Sequence, residues 1–93
     1  MARRFHLPPL DLIQGFEAAA RNLSFTKAAE ELAVTQSAIS RQIRGLEEHL
    51  GVALFERRAR AIALTEQGQT LNRAASDLLE RLQQVTDALR ADG

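Results

Sequence analysis

The sequence predicts a mainly α fold: three short helices, a two-stranded β-hairpin and a long fourth helix. Three observations predict it. Apolar residues recur at helical spacing in three successive segments, each closed or opened by a capping residue. Two strand-length apolar pieces then flank a charged one. Last, an apolar stripe with alternating steps of four and three runs through the final third of the chain.

Pro8-Pro9 reads as an extended entry, with Pro9 suited to the first turn of a helix. Leu10, Ile13, Phe16, Glu17, Ala20 and Leu23 place the first helix at about Leu10 to Asn22, weakened by Gly15. Ser24 is the next N-cap, and Phe25 to Leu32 reads as a short second helix with Phe25, Ala28, Ala29 and Leu32 facing inward. Ala33-Val34 breaks the pattern, and Thr35 caps the third helix. From Gln36 to Leu50 the inner face is Ile39, Ile43, Leu46 and Leu50, and Gly51 follows where a left-handed stop favours glycine. The pieces Val52-Ala53-Leu54-Phe55 and Ala61-Ile62-Ala63-Leu64 read as a hairpin whose tip carries Arg57, Arg58 and Arg60. Thr65 then caps a helix to about Arg90. Its stripe is Leu71, Ala75, Leu78, Leu82, Val85 and Leu89. Such a helix must pack back on the domain, pair with a second copy, or do both.

Length and composition narrow the function. The 93 residues allow one small domain, read as 1–64, with an extended element, 65–93. The absence of cysteine excludes a disulfide framework, a thiolate nucleophile and a cysteine metal site. His6 and His49 have no metal-ligand spacing, and no cofactor is expected. The run after Arg3 and Arg4 is too short and broken for a signal peptide, and no apolar run reaches membrane-span length, so a cytoplasmic protein without membrane contact is expected. No glycine-rich phosphate loop and no catalytic grouping argues for an enzyme.

Net charge is zero, but its distribution is uneven: +2 over residues 1–60 and −2 over 61–93. Eleven of the twelve cations are arginine, the side chain suited to forked contact with phosphate or guanine. Helices two and three have the lengths of a helix-turn-helix, with Ala28, Ala29 and Ala33 small enough for close helix approach. The outer face of the third helix is Gln36, Ser37, Ser40, Arg41 and Arg44, acid-free until Glu47 and Glu48. Those side chains can hydrogen-bond base edges or phosphates, and they occupy the half of a recognition helix that enters a major groove. The hairpin fits a wing reaching phosphate or the minor groove. The whole reads as a winged helix-turn-helix followed by a long linker or dimerisation helix. A winged-helix protein-interaction module is the competing reading, favoured by neutral charge and opposed by arginines on both helix and wing.

Specific motifs sharpen the expectation. Ser24-Phe25-Thr26-Lys27-Ala28-Ala29-Glu30-Glu31-Leu32 is followed by Val34-Thr35-Gln36-Ser37-Ala38-Ile39-Ser40-Arg41-Gln42-Ile43. Then come Leu46-Glu47, Leu50-Gly51, Leu54-Phe55-Glu56-Arg57 and Leu64-Thr65-Glu66-Gln67-Gly68. Over these motifs residues 8–90 resemble the N-terminal winged helix-turn-helix domain and linker helix of LysR-type transcriptional regulators. Leu7-Pro8-Pro9-Leu10 is similar to the subgroup of glycine-cleavage activators and β-lactamase regulators. Molybdate-responsive regulators share a similar DNA-binding unit.

The resemblance implies that Gln36, Ser37, Ser40 and Arg41 face bases in double-stranded DNA and that Arg60 enters the minor groove. It places Ser24, Thr26 and Lys27 at phosphates, where a helix N-terminus also favours an anion. Thr35, Arg44, Arg57 and Arg58 join them as candidate phosphate contacts, although Arg57 could instead brace the wing. The implied assembly is a bacterial homodimer through Leu71, Ala75, Leu78, Leu82, Val85 and Leu89, with linker helices antiparallel, on an interrupted inverted repeat. Contact with RNA polymerase fits such a regulator, and nucleoid association follows. A small-molecule effector would act only through the family's C-terminal domain, absent from this chain, which therefore reads as a truncated form or a stand-alone regulator. Gly45 departs from the family pattern by interrupting the recognition helix. Ser37 lies at a position that varies in the family, so no base preference transfers there.

Overall fold

A computed structural model describes residues 4–92. Residues 1–3, Arg3 among them, and residue 93 belong to the expected segments 1–64 and 65–93 but lie outside the described residues. The elements are α1 (Leu10–Asn22), α2 (Phe25–Leu32), α3 (Gln36–Leu50), β1 (Phe55–Arg57), β2 (Ile62–Leu64) and α4 (Glu66–Asp92). This is the expected winged helix-turn-helix with a long fourth helix.

Helix α1 is central and packs against α2, α3 and α4. Its buried residues are Ile13, Gly15, Phe16, Ala18, Ala19 and Ala20, so three consecutive alanines let neighbouring helices close in. Phe16, Ile39, Ile43, Leu46 and Leu54 are fully buried. Each such side chain stabilises the fold by about 1.5–3 kcal/mol. At Gly15 an added Cβ would meet Gln42 Oε1 of α3, the far end of a flexible side chain that would have to turn aside. The expected inner faces need trimming at their ends. Leu10, Leu23 and Leu50 are exposed, because each lies at or just beyond a helix terminus that overhangs the core. Ala33 is likewise exposed; it closes α2 as a left-handed cap with φ 56° instead of packing between helices.

The hairpin differs from expectation in its first strand. β1 begins at Phe55, and Val52-Ala53-Leu54 is a loop. Side chains have taken the groups a strand would use. The Leu54 N–H donates to Glu47 Oε2 at 2.8 Å, and Thr65 Oγ1 donates to the Ala53 carbonyl at 2.7 Å. Pairing runs antiparallel from Phe55↔Leu64 to Arg57↔Ile62, so Arg57 lies in the strand and the tip is Arg58 to Ala61. Phe55 is buried and stacks edge-to-face on Phe25, with centroids 5.3 Å apart, and tilts against Phe16 at 5.6 Å. The two ring pairs tie the wing to α1 and α2.

Thr65 starts α4 by accepting the Gly68 N–H at 3.0 Å. The helix then rises for 27 residues, about 40 Å. Its first half packs on the domain: Ala75 is buried and Leu71 and Leu79 pack against the same core. Its second half projects, leaving Leu82, Val85 and Leu89 exposed along with Leu78.

Candidate nucleic-acid interface

The N-termini of α2 and α3 are built alike. Ser24 is extended (φ −160°, ψ 125°), and its Oγ accepts the Lys27 N–H at 3.0 Å. Thr35 is extended too, and its Oγ1 accepts the Ala38 N–H at 3.0 Å. Each hydroxyl keeps its own hydrogen to donate. Neither helix has an acid in its first turn, so no carboxylate there offsets the positive end of either helix.

On α3 the side chains of Gln36, Ser37, Arg41 and Arg44 are exposed and Ser40 is half-buried, opposite buried Ile39, Ile43 and Leu46. The wing tip closes as a four-residue turn, with Arg58 N–H to the Ala61 carbonyl at 2.8 Å. An open cleft of ≈ 330 Å³ runs between this turn and the two helix starts, and Ser24, Thr26, Gln36, Arg58 and Arg60 all line it. The fold thus brings residues 36 positions apart in sequence onto one surface.

The cations fall into two groups. Lys27, Arg41, Arg44 and Arg60 make no ion pair among the described residues. Arg58 is bound to Glu56 at 3.0 Å, although its side chain stays 67% exposed. Arg57 is bound to Glu47 at 3.3 Å, and its guanidinium lies over the Phe25 ring, 5.1 Å from the centroid. Neither Glu47 nor Phe25 figured among the expected site residues. The signal for Glu47 was its place on the shoulder of α3, where an acid can turn back toward the chain after Gly51.

A second region lies where α4 leaves the domain. A groove of ≈ 450 Å³ is lined by residues of α1, α2 and α4, including Glu17, Leu32, Leu79, Leu82 and Gln83. Its rim is fixed by Arg21, whose Nε donates to Glu17 Oε2 at 2.8 Å and whose Nη1 donates to Glu31 Oε1 at 3.0 Å. These hydrogen bonds, Glu17's first, hold the Arg21 guanidinium above its ordinary pKa. Arg21, and after it Asn22, hold the Glu31 carboxyl below its ordinary value. Of the expected dimer residues, Leu78, Leu82, Val85 and Leu89 are open to solvent. Ala75 is not: at 2% exposure it belongs to the protomer's own core, with Leu71 packed beside it.

The profile described as "Bacterial regulatory helix-turn-helix protein, lysR family" matches residues 10–69, from the start of α1 into α4. The chain belongs to the lysR family. The matched stretch makes it a LysR-family winged helix-turn-helix domain, carried here with its linker helix. The domain is 51% identical over 85 residues to the glycine cleavage system transcriptional activator of Escherichia coli K12, covering 91% of this chain and 28% of that protein. It is 52% identical over 79 residues to the transcriptional activator AmpR of Pseudomonas aeruginosa, covering 85% of this chain and 26% of that one. The chain therefore spans under a third of the curated relatives it matches. Among solved structures, the BenM DNA-binding domain in complex with catB site 1 DNA superposes with a TM-score of 0.84 at 36% identity, covering 90% and 93% of the two chains. The CbnR DNA-binding domain–DNA complex superposes at 0.80 with 35% identity, covering 91% and 98%. In this LysR-family domain no helix among the described residues is long and apolar enough to cross a membrane.

Proposed function

We propose that this domain reads double-stranded DNA as a homodimer on an interrupted inverted repeat. The observation that carries the reading is one cleft lined by Ser24, Thr26, Gln36, Arg58 and Arg60 beside the exposed Arg41 and Arg44 of α3, which make no ion pair among the described residues. Two helix N-termini and the wing converge there, which suits a phosphate backbone flanking a groove. Gln36, Ser37, Ser40 and Arg41 contact base edges in the major groove, and Arg60 enters the minor groove. Ser24, Thr26, Lys27, Thr35, Arg44 and Arg58 bind phosphate. Similar domains have been solved as DNA complexes, which supports the same use here.

The dimer forms through the projecting half of α4. Leu78, Leu82, Val85 and Leu89 are its contact residues, and the groove beside Leu79 and Leu82 receives the other copy's helix. Antiparallel α4 helices give a two-fold axis, so two copies of α3 enter successive major grooves. The domain works at the nucleoid in the cytoplasm. In a full-length regulator an effector would act through a C-terminal domain, and RNA polymerase is a further partner.

The test is a binding selection from a random duplex library at about 150 mM salt, where non-specific binding is weak. Enrichment of an inverted repeat with half-sites about one helical turn apart is the expected result. Recovery of no preferred sequence from a folded dimer would overturn the reading.

A further inference from the structure

We propose that Arg57 is a positioning residue: it fixes the angle of the wing against α3 through Glu47, and it does not bind phosphate. The inference rests on the DNA-binding reading for its consequence, but its geometry is independent of it.

Glu47 is the junction. Its Oε2 accepts the N–H of Leu54 at 2.8 Å and that of Phe55 at 3.4 Å, the last loop residue and the first residue of β1. Its Oε1 accepts Arg57 Nη2 at 3.3 Å. One carboxylate on α3 therefore holds the chain entering the wing at three residues, Leu54, Phe55 and Arg57. The Glu47 carboxylate is shielded, its side chain 17% exposed, whereas the Arg57 side chain is 47% exposed, so what sets Arg57 apart from a free surface arginine is its two partners and not burial. Along a strand, alternate residues share a face. Phe55 and Arg57 accordingly turn together toward the helices, where both meet the Phe25 ring of α2. Glu56 and Arg58 pair with each other.

This arrangement leaves Arg57 little to offer a phosphate. Its charge is balanced by Glu47, and its planar face is occupied by Phe25. A phosphate drawn to Arg57 would also meet the Glu47 carboxylate. The wing tip that carries Arg60 is joined to the domain by two short strands of three residues each, too few to set an angle by themselves. The Glu47–Arg57–Phe25 set supplies that angle from both α3 and α2.

The two roles predict opposite signs for one substitution. Glu47→Gln keeps an acceptor for the Leu54 and Phe55 amides but removes the ion pair. If Arg57 positions the wing, the Arg58–Ala61 turn loses order in the free protein, read as lower 15N order parameters and faster exchange of the Arg58 amide. Affinity for a duplex carrying the selected inverted repeat with an AT-rich spacer falls about three- to tenfold. Arg57→Gln gives the same loss, the double variant is no worse than either, and each costs less when Arg60→Ala is already present, since only Arg58 is then left on the wing tip to misplace. If Arg57 is a phosphate contact, Glu47→Gln frees it and tightens binding. Tighter binding, or wing amides unchanged in both variants, overturns the proposal. Should Glu47→Gln fail to fold, Arg57→Gln leaves Glu47 and its amide bonds in place and is read by the same wing amides. A parent protein that binds no duplex while the variants still loosen the wing would sink the DNA reading and leave the positioning role standing.

Discussion

The carbonyl oxygen of Leu54 occupies the space where a Cβ on Gly68 would stand. The Thr65 N–H donates to that same carbonyl at 3.0 Å, so the oxygen is tied down on one side and crowded on the other. The start of α4 can therefore lie against the loop leading into the wing only if position 68 lacks a side chain. Gly45 is the opposite case, in mid-helix with open space where a Cβ would stand. The same substitution should act with opposite signs. Gly68→Ala is expected to destabilise the domain by about 1–3 kcal/mol, since rigid backbone must move. Gly45→Ala should stabilise it by up to about 1 kcal/mol. Urea unfolding at fixed protein concentration checks both, and equal shifts for the two would contradict the packing at Gly68.

Ala33 carries a conformational cost of its own. It ends α2 at φ 56°, with its N–H bonded to the Glu30 carbonyl at 3.3 Å, and it is exposed. A left-handed conformation costs a residue with a Cβ roughly 1–2 kcal/mol, part of which glycine returns as extra freedom in the unfolded chain. Ala33→Gly should raise stability by about 0.5–1 kcal/mol and leave duplex binding unchanged. A lower unfolding midpoint would mean that the Ala33 methyl makes a contact worth more than the strain.

Most of this fold could be read from residue order, for a local reason. The bounds of α1, α2 and α3 follow from caps and apolar spacing within a few residues, and Ser24, Thr35 and Gly51 act where expected. The start of β1 could not be read that way. It depends on Glu47, seven residues before Leu54, taking the amide that a longer strand would have used. Arg57 was ambiguous for the same reason, since its partners sit on two other helices. In α4 the stripe was visible but its division was not. Heptad spacing treats Ala75 and Leu82 as equivalent, whereas the core takes in Leu71, Ala75 and Leu79 and leaves Leu82 exposed.

With the proposed dimer, that division would separate folding from assembly. Leu82 is 43% exposed and Ala75 is 2% exposed. Leu82→Asp should give a folded monomer, with helicity kept and sedimentation at about 10 kDa. Ala75→Asp should instead unfold the domain, because it buries an unpaired carboxylate in the core. A Leu82→Asp protein that still sediments as a dimer would exclude the exposed face of α4 as the interface.

Acid should weaken the α1–α2 corner through Glu31. Hydrogen bonds from Arg21 and Asn22 hold its folded pKa below the unfolded one, which lies at about 4.3. Between the two values the unfolded chain binds more protons than the folded one. The Glu31 contribution is therefore complete above the unfolded value and disappears as pH falls through the folded value. Arg21 stays charged throughout. The pair is exposed, so the contribution is under about 1 kcal/mol at ordinary salt. Glu31→Gln should flatten the acid limb of the stability–pH curve by that amount and leave its neutral slope alone. An unchanged acid limb would show that Glu31 adds nothing to the corner beyond the Arg21–Glu17 pair and packing.

The wing arginines should separate by what they read. Arg60 stands at the third position of the tip turn with no ion pair among the described residues, whereas Arg58 is tethered to Glu56. An unpaired guanidinium entering a minor groove responds to groove width, because a narrow AT-rich groove concentrates negative potential. A phosphate contact does not, since the backbone charge is the same for every sequence. Arg60→Ala should therefore erase about 1–3 kcal/mol of preference for AT-rich over GC-rich spacers. Arg58→Ala should weaken both duplexes alike and lower the salt slope by about one, or less in proportion to the charge that Glu56 already balances. Titrating each variant against both duplexes over a salt series reads the two effects at once. Equal losses on both spacers for Arg60→Ala would move Arg60 to the phosphate class and leave the spacer unread by the wing.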